Sequence, residues 1–429
     1  MRRLRAAVFG TGFVGPHHVD AIRRLGMAEV VALVGTNPAR TAARARALDI
    51  PVATTDPAVV FGDATIDVVH IATPNDSHVP LATAALEAGK HVVVEKPLAL
   101  ESASARALVA LAQRVGRHAM VAFTYRGYPM VRRARELVAT GEVGAPRLVH
   151  GAYLQDWLLE STDWNWRVDP SIGGSSRALA DIGTHWFNAA EFVSGLRVEA
   201  VCCLLGTFIH ERLRPARVAE PARVAEPARV AEPARVAEPA RVAEPTAGAA
   251  TPIPPGEPEA AFEPVAIDSE DAATILLRFE GGVLGSCVIS QVSAGHRNDV
   301  VLNVDGARHS LRWRQETPEE LWIGGREMGS RIMVREPAAR SLGSTDPTAV
   351  AGQPGIPELP AGHPEGWAEA WRDLLRPFYA SIAAGEPPPA PGAPAPYPTL
   401  ADGARAVAYV EACLRSAREG RWVALPRLR

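Results

Sequence analysis

The sequence predicts an α/β protein with a doubly wound N-terminal domain and a C-terminal α+β domain that carries a large, mainly antiparallel open sheet. Apolar strands alternate with helical segments early in the chain, a glycine-rich turn follows the first strand, and later strands are separated by turn glycines. The chain has 429 residues, of which 47% are hydrophobic, so it is long enough for two domains. We predict one domain at residues 1–124 and a second at 125–429.

The first domain is predicted element by element. "LRAAVFG", "AEVVALVG", "IDVVHIAT" and "HVVVEKP" are short apolar strands. Helices are expected at about 16–25 and 38–48, and "SHVPLATAALEAG" is a third helix that ends at Gly89. Strands that are apolar throughout and separated by helices indicate a parallel sheet covered on both faces.

Composition excludes several classes of protein. Lys and Arg total 45 against 48 Asp and Glu, which leaves no basic excess for nucleic acid or an acidic membrane. The apolar run near the N-terminus breaks at Gly10, too early for a signal peptide, and no run is long enough to span a membrane. Cys202, Cys203, Cys287 and Cys413 lack CxxC spacing. We therefore expect a cytoplasmic protein that binds a small soluble ligand, without metal, nucleic-acid or membrane partners.

The turn "GTGFVG" has the spacing of a dinucleotide-binding turn. Its first glycine allows a tight turn, the second lets the backbone approach a pyrophosphate, and the third lets the helix pack closely on the sheet. An ordinary strand-to-helix turn is the alternative, but the predicted strand, turn and helix favour a dinucleotide. The residues expected to contact the cofactor are Gly10, Thr11, Gly12, Phe13, Val14 and Gly15.

The end of the second strand bears on the choice between NAD and NADP. An NAD site usually has an acid there to bind the ribose 2′-hydroxyl, whereas this chain has Thr36 and Asn37. Arg40, one helical turn later, is placed to pair with a 2′-phosphate, although a solvated helix charge is the alternative. We expect NADP or NAD, with NADP preferred.

The segment "ATPNDSH" follows another strand at the edge where such sheets bind ligands. Thr73, Pro74, Asn75 and His78 are therefore candidate cofactor contacts. The alternative is a helix cap at Asn75 or Ser77, and His78 is slightly favoured as a surface residue of that turn.

"EKP" ends the next strand, so Glu95 and Lys96 fall at the same edge, with Pro97 fixing the turn. In this order and spacing, "GTGFVG", "ATPNDSH" and "EKP" resemble the glucose-fructose oxidoreductase / inositol dehydrogenase (Gfo/Idh/MocA) family. The resemblance implies a Rossmann domain that binds a nicotinamide dinucleotide. It also implies that Lys96 is a catalytic residue. For Glu95 we favour a role as orienting partner of Lys96 or the cofactor over a role as proton carrier.

Asp181 and His185 stand four residues apart, which places both on one face of a predicted helix. Taken alone, the pair is better explained as a helix N-cap and a surface histidine. The resemblance implies that both meet Lys96 across the cofactor. Asn188 stands where many members of the family carry another acid, which puts in doubt any substrate assignment that relies on that acid.

Oxidation of a secondary alcohol needs a base, a cation near the developing alkoxide and a hydride acceptor. We assign His185 as general acid/base, Lys96 as the cation, and Asp181 as a carboxylate that binds a neighbouring hydroxyl or tunes the pair. Which of Lys96 and His185 is the main base stays open.

Residues 153–174 are rich in Trp and Asp, a pattern typical of carbohydrate surfaces but also of a core aromatic cluster. By position in the family, Trp166 and Arg167 are expected to contact the cofactor. The expected substrate contacts are Tyr125, Arg126, Trp164, Asp181 and His185.

Residues 215–244 are five copies of "PARVAE", followed by a Pro-rich stretch. A proline every six residues excludes a continuous helix, so we predict a disordered insertion at about 213–262. A docking segment is the alternative. The family resemblance implies a homo-oligomer, either a dimer or a tetramer.

The leading functional hypothesis is an NAD(P)-dependent oxidoreductase that acts on a secondary alcohol of a sugar, cyclitol or glycoside. One alternative is an NAD-dependent glycosidase with transient oxidation, which would release an aglycone without net cofactor turnover. Another is a non-catalytic dinucleotide-binding regulator, which would bind cofactor without turnover.

Overall fold

The computed structural model describes residues 3–215, 262–327, 329–335, 359 and 362–426. The predicted insertion at about 213–262 lies outside the described residues except at its two ends.

The first domain is built on a six-stranded parallel sheet. Its strands are β1 (Leu4–Phe9), β2 (Ala28–Val34), β3 (Val52–Thr54), β4 (Val68–Ile71), β5 (His91–Val94) and β6 (Ala119–Val121). They lie in the order β3-β2-β1-β4-β5-β6, so the strand order reverses between β1 and β4. Ligands of such sheets bind at the carboxyl ends of the strands beside this reversal.

Helices cover both faces of this sheet, as its uniformly apolar strands predict. They are α1 (Val14–Leu25), α2 (Pro38–Ala47), α3 (Ala58–Phe61), α4 (His78–Glu87) and α5 (Ser102–Arg114). Every residue of β4 is buried, as are Val92, Val93 and Val94 of β5. The doubly wound first domain is confirmed.

The second domain is built on a nine-stranded sheet. Its strands are β7 (Pro146–Leu154), β8 (Val198–Gly206), β11 (Ala272–Phe279), β12 (Leu284–Ser290), β13 (Asp299–Gly306), β14 (His309–Arg314), β15 (Glu320–Gly325), β16 (Arg331–Val334) and β17 (Val423–Ala424). The order is β16-β15-β14-β13-β7-β12-β11-β8-β17, and only β7 and β12 of this sheet pair in parallel. The mainly antiparallel second sheet is confirmed.

A separate hairpin flanks the repeats. It consists of β9 (Glu211–Pro215) and β10 (Phe262–Ala266), which pair antiparallel with Pro215 opposite Phe262. Pro215 and Phe262, the described residues on either side of residues 216–261, therefore lie side by side.

Helices pack on one face of the nine-stranded sheet. Among the described residues of this half of the chain, the helices are α6 (Pro129–Ala139), α7 (Pro170–Gly173), α8 (Thr184–Ser194), α9 (Trp367–Ala383) and α10 (Leu400–Glu419). Phe187 of α8 and Tyr409 of α10 belong to the same core as Val201 and Ile275 of the sheet. The opposite face exposes several apolar side chains, namely Leu148, Leu204, Leu276, Leu284 and Val288.

Helix α9 returns to the first domain. Its residues Leu374, Leu375 and Phe378 share a core with Val8 of β1 and Ile22 of α1. The boundary at residue 124/125 stays a prediction, but the first domain's core includes a helix from near the C-terminus.

None of the helices in the described part of the chain has the length and apolarity needed to cross a membrane. Within the same residues, no group of three or more His, Cys, Asp or Glu side chains is arranged to hold a metal ion.

The contact between α9 and the segment that leaves the first domain gives a stability prediction. A Cβ atom on Gly127 would lie 1.9 Å from the carbonyl oxygen of Ala370 in α9. We expect Gly127→Ala to lower the free energy of unfolding by about 1–3 kcal/mol, measured by urea denaturation. Gly183→Ala is the matched control, because Gly183 has helical φ and its added Cβ would meet no described atom closer than 3.5 Å. Equal stability of the two variants would contradict the close packing at Gly127.

Candidate active site

The glycine turn after β1 has open space beside Gly12, whereas Gly10 and Gly15 are packed against backbone atoms. A Cβ on Gly10 would lie 2.2 Å from the Ala72 carbonyl oxygen, and one on Gly15 would lie 2.0 Å from that of Gly10. A Cβ on Gly12 would meet no described atom within 4 Å. Helix α1 begins at Val14 without a side-chain cap, so its first N–H groups are available to an anion. This geometry fits the pyrophosphate of a dinucleotide.

Two of the three other residues of the turn differ strongly in exposure. Thr11 is buried, whereas Phe13 is 64% exposed and stacks on Trp367, the first residue of α9. The sequence did not predict this contact, because the two residues are far apart along the chain.

The end of β2 presents exposed polar groups. Thr36, Asn37 and Arg40 are all exposed, and Asn37 caps α2 by accepting a hydrogen bond from the Arg40 N–H at 2.9 Å. The Arg40 side chain is on the outer surface of the first turn of α2.

The segment after β4 is more buried than the sequence suggested. His78 is fully buried, and its ring nitrogens lie 2.8 Å from the Pro97 carbonyl oxygen and 2.9 Å from that of Thr73. The preference for a surface histidine was therefore wrong, because two backbone carbonyls at adjacent strand ends enclose the ring. His78 links the segment that holds Thr73 and Pro74 to the turn after Lys96.

The alternative of a side-chain cap at Asn75 or Ser77 does not occur at the start of α4. Asn75 and Ser77 supply no side-chain cap hydrogen bond. Asn75 donates instead to the Gly173 carbonyl oxygen at 3.2 Å, and Ser77 donates to the Pro74 carbonyl oxygen at 2.6 Å. Asn75 thus links this edge to the second domain.

Glu95 is held by a histidine of α1 and by the backbone of Lys96. Its Oε1 lies 3.1 Å from His18 Nε2, and its Oε2 accepts a hydrogen bond from the backbone N–H of Lys96 at 3.2 Å. The chain of contacts continues through His70 to the hydroxyl group of Tyr379 in α9, with both distances at 2.8 Å. Glu95 therefore contacts the backbone of Lys96, and its orienting role stays a prediction.

Asp181 is the centre of the site. Lys96 Nζ donates to Asp181 Oδ1 at 2.7 Å and to the Asp181 carbonyl oxygen at 2.8 Å. Arg167 Nε donates to the same Oδ1 at 3.1 Å, and Gln291 Nε2 donates to Oδ2 at 2.8 Å. The structure thus brings the predicted Lys96 and Asp181 together, with the predicted Arg167 beside them.

The helix that carries Asp181 and His185 starts with a wider turn than an α-helix. Residues Leu179–Gly183 form a π-helical turn that continues directly into α8. Glu270 Oε1 holds its start by accepting hydrogen bonds from the backbone N–H groups of Arg177 and Leu179, each at 2.9 Å. Such turns are rare and occur frequently at functional sites.

His185 is buried beside Tyr125, with ring centroids 5.1 Å apart. Its Nδ1 is buried and has no hydrogen-bond partner among the described residues. Burial lowers the pKa of His185 well below its ordinary value, and the positive charge of Lys96 lowers it further, against an opposing effect of Asp181. The imidazole is therefore neutral at neutral pH.

Burial alone would raise the pKa of Asp181, but the charges of Lys96 and Arg167 outweigh burial and hold this pKa well below its usual range. At neutral pH the site therefore combines an ionised carboxylate with a neutral imidazole.

Tyr125 forms one wall of the site. Its hydroxyl group lies 2.7 Å from that of Tyr153 and accepts a hydrogen bond from Asn298 Nδ2 at 3.2 Å. Gln155 donates to Asn298 Oδ1 at 2.8 Å and accepts from Trp157 Nε1 at 2.9 Å. This polar chain leads from His185 towards the tryptophan-rich loop.

Arg126, predicted to contact substrate, is held by other groups. Its Nε donates to Asn188 Oδ1 at 2.7 Å, and its guanidinium lies 3.3 Å from Asp402 Oδ1 and over the Phe192 ring. These contacts tie α8 to α10. A contact of Arg126 with substrate stays a prediction.

The tryptophan-rich loop divides into two parts. Arg167 stacks on Trp166, with the guanidinium carbon 4.4 Å from the ring centroid, and also reaches Asp181. Trp164 packs instead on a small apolar cluster that includes Leu158 and Val168. The structure therefore brings Arg167 to the site directly, whereas Trp164 fits the alternative of a packing residue.

Sequence reasoning missed Gln291, Tyr153 and Asn298. Gln291 directly follows β12 in "VISQVS", and this stretch carries no motif. A polar residue directly after a strand was the only local signal.

Two family models match this chain. Residues 4–123 match the oxidoreductase family with an NAD-binding Rossmann fold, and residues 131–312 match the GFO/IDH/MocA C-terminal domain.

Individual relatives agree with these models. Levoglucosan dehydrogenase of Pseudarthrobacter phenanthrenivorans is 28% identical, with 100% of both chains covered. Inositol 2-dehydrogenase of Corynebacterium glutamicum is 33% identical over 47% of this chain and 57% of its own.

Solved structures show the same architecture. Levoglucosan dehydrogenase in complex with NADH and L-sorbose superposes with a TM-score of 0.79 at 27% identity and full coverage of both chains. An oxidoreductase domain protein from Kribbella flavida gives a TM-score of 0.79 at 28% identity, also with full coverage. The motifs, the two-domain fold and these matches agree, and the chain belongs to the Gfo/Idh/MocA oxidoreductase family.

Proposed function

We propose that this protein transfers a hydride between a nicotinamide dinucleotide and a secondary alcohol carbon of a sugar, cyclitol or glycoside. The observation that carries the proposal is the Lys96–Asp181 ion pair, which sits with the buried His185 at the edge of the sheet that bears the glycine turn. The full-length similarity to a levoglucosan dehydrogenase supports a carbohydrate substrate.

Each residue has a separate role in this proposal. The bound nicotinamide supplies the hydride acceptor. His185, neutral at neutral pH, takes the proton from the substrate hydroxyl group. The Lys96 ammonium stabilises the negative charge that develops on that oxygen.

Asp181 holds Lys96 in place. Its carboxylate already accepts hydrogen bonds from Lys96, Arg167 and Gln291, so we assign it the positioning of the ammonium and not the binding of a substrate hydroxyl. Of the two roles expected for Asp181 from the sequence, we keep the tuning of Lys96 and His185 and set aside the binding of a neighbouring hydroxyl.

Variants of the two proposed catalytic residues test the mechanism. We expect Lys96→Met and His185→Ala each to lower kcat by about 10²–10⁴-fold, because each removes a group that acts on the proton or on the developing charge. The measurement is absorbance of reduced nicotinamide with a panel of polyols that includes levoglucosan and myo-inositol, with either cofactor. His210→Ala, at an exposed position, is the matched control and should keep the wild-type rate. Full rates in both site variants would show that the chemistry occurs elsewhere, and aglycone release without net cofactor reduction would favour a glycosidase.

We further propose NADP as the preferred cofactor. No acid is present from Gly35 to Arg40, and the exposed Arg40 is free of ion pairs with the described residues, so a 2′-phosphate would find a cation and no like charge. NADH in the related levoglucosan dehydrogenase structure makes NAD the direct competitor.

Arg40→Glu tests this preference. We expect the ratio of kcat/KM for NADP over NAD to fall by at least about 10-fold, since one charge-assisted pair is replaced by repulsion. Arg46→Glu, exposed on the same helix, should leave the ratio unchanged. An unchanged ratio in Arg40→Glu, or a wild-type preference for NAD, would reject the proposal.

A homo-oligomer that assembles through the open face of the large sheet is also proposed. Leu204, Leu276 and Leu284 on adjacent strands are 72%, 50% and 57% exposed. Contiguous exposed apolar surface of this kind marks an interaction site, and a second copy of the chain fits it by symmetry.

Light scattering coupled to size-exclusion chromatography tests the assembly. We expect a dimer or tetramer for the wild type and a shift towards monomer for Leu276→Glu, because the substitution would bury a charge in an apolar interface. Val59→Glu, which also replaces a half-exposed apolar residue but lies on α3, should keep the wild-type mass. A monomeric wild type would contradict this proposal.

A further inference from the structure

The side chain of Gln291 is held in one orientation at the end of β12. The residue is fully buried, its backbone N–H donates to the Asp271 carbonyl oxygen at 3.0 Å, and its Nε2 donates to Asp181 Oδ2 at 2.8 Å. Because an ionised carboxylate only accepts hydrogen bonds, the amide nitrogen must face Asp181. The amide oxygen is therefore directed away from that carboxylate.

No group in the described part of the chain donates to this oxygen. Gln291 Oε1 is buried and lacks a hydrogen-bond partner among the described residues. Buried polar groups are nearly always paired, so an unpaired amide oxygen beside the Asp181 carboxylate needs an explanation. A donor supplied in the working site would provide one.

A matching donor is available on His185. Its Nδ1 is also buried and unpaired among the described residues, and the residue follows Asp181 by one helical turn. A neutral imidazole carries a single N–H, and the partner of one ring nitrogen decides which nitrogen carries it. An acceptor at Nδ1 would place the proton there and leave Nε2 as the base.

The charged groups around His185 offer no better acceptor. Lys96 and Arg167 are cations and cannot accept, and Tyr125 presents its ring to the imidazole. Asp181, the remaining charged neighbour, already receives three side-chain donors. Gln291 is the neighbour of Asp181 with an unused acceptor.

We propose that Gln291 is a positioning residue whose Oε1 accepts the Nδ1–H of His185 when the site is loaded, so that Nε2 exchanges the proton with the substrate oxygen. In the oxidative direction the O–H bond of the substrate breaks and its proton goes to Nε2. The carbon that bears this oxygen loses its hydrogen as a hydride to the oxidised nicotinamide. The resulting imidazolium keeps its Nδ1–H on Gln291. This inference rests on the proposed function.

The tautomer of His185 is measured by ¹⁵N NMR on histidine-labelled full-length protein saturated with NADH, with the signals assigned from a His185→Gln spectrum. We expect the neutral Nδ1–H tautomer in the wild type and loss of that preference in Gln291→Met, which keeps the length but removes the acceptor. Gln113→Met, exposed on α5, is the matched control and should leave the tautomer unchanged.

Kinetics give a second readout. We expect Gln291→Met to lower kcat by at least about 10-fold, within the range that general acid–base groups contribute, while KM changes by less than about threefold. An Nε2–H tautomer in the wild type, or the same tautomer in wild type and Gln291→Met, would overturn the inference. If no polyol is turned over, the proposed function fails, but the tautomer still decides the Gln291 contact.

A second variant covers the case in which Gln291→Met does not fold. In Asp181→Asn the neutral amide is able to donate to Gln291 Oε1, which competes with His185 for the acceptor. We expect this variant to lose the Nδ1–H preference while Gln291 itself is unchanged. Retention of the wild-type tautomer in Asp181→Asn would count against the contact.

Discussion

The ion pair between Lys96 and Asp181 joins the edge of the parallel sheet to the second domain, and the rest of the active site is arranged around it. Its side chains are only 10% and 13% exposed, so both charges have lost most of their hydration. Such burial costs several kcal/mol per ion unless further groups compensate, and here Arg167 and Gln291 supply additional donors to the carboxylate. This ion pair links the two domains and keeps Lys96 close to His185.

The same charges set the protonation states that the chemistry needs. With burial, the ammonium of Lys96 keeps His185 neutral, and together with Arg167 it keeps Asp181 ionised. Of the 45 Lys and Arg residues of this chain, only Lys90 and Lys96 are lysines. Lys90 donates to two backbone carbonyl oxygens, and Lys96 donates to both a carboxylate and a carbonyl oxygen of one residue. A compact ammonium with three donors suits both positions.

The sequence was most informative where function depends on local pattern. The glycine turn and the strands of the first sheet were predicted, because turns and apolar runs are short-range features. The meeting of Lys96 with Asp181, which are 85 residues apart, was expected only from the family resemblance. Gln291, Asn298 and the return of α9 were not predicted, since strand order and long-range packing bring them to the site. His78 was misjudged for a similar reason: the carbonyl groups that bury it belong to two different strand ends.

A crystal structure of the protein with reduced nicotinamide dinucleotide and a non-reacting polyol tests the central claim most directly. We expect the reacting carbon of the nicotinamide and the polyol carbinol carbon to lie about 3–3.5 Å apart. The polyol oxygen should lie within hydrogen-bond distance of both Lys96 Nζ and His185 Nε2, with the Lys96–Asp181 pair intact. A nicotinamide directed away from Lys96, or a polyol bound without contact to His185, would contradict the account.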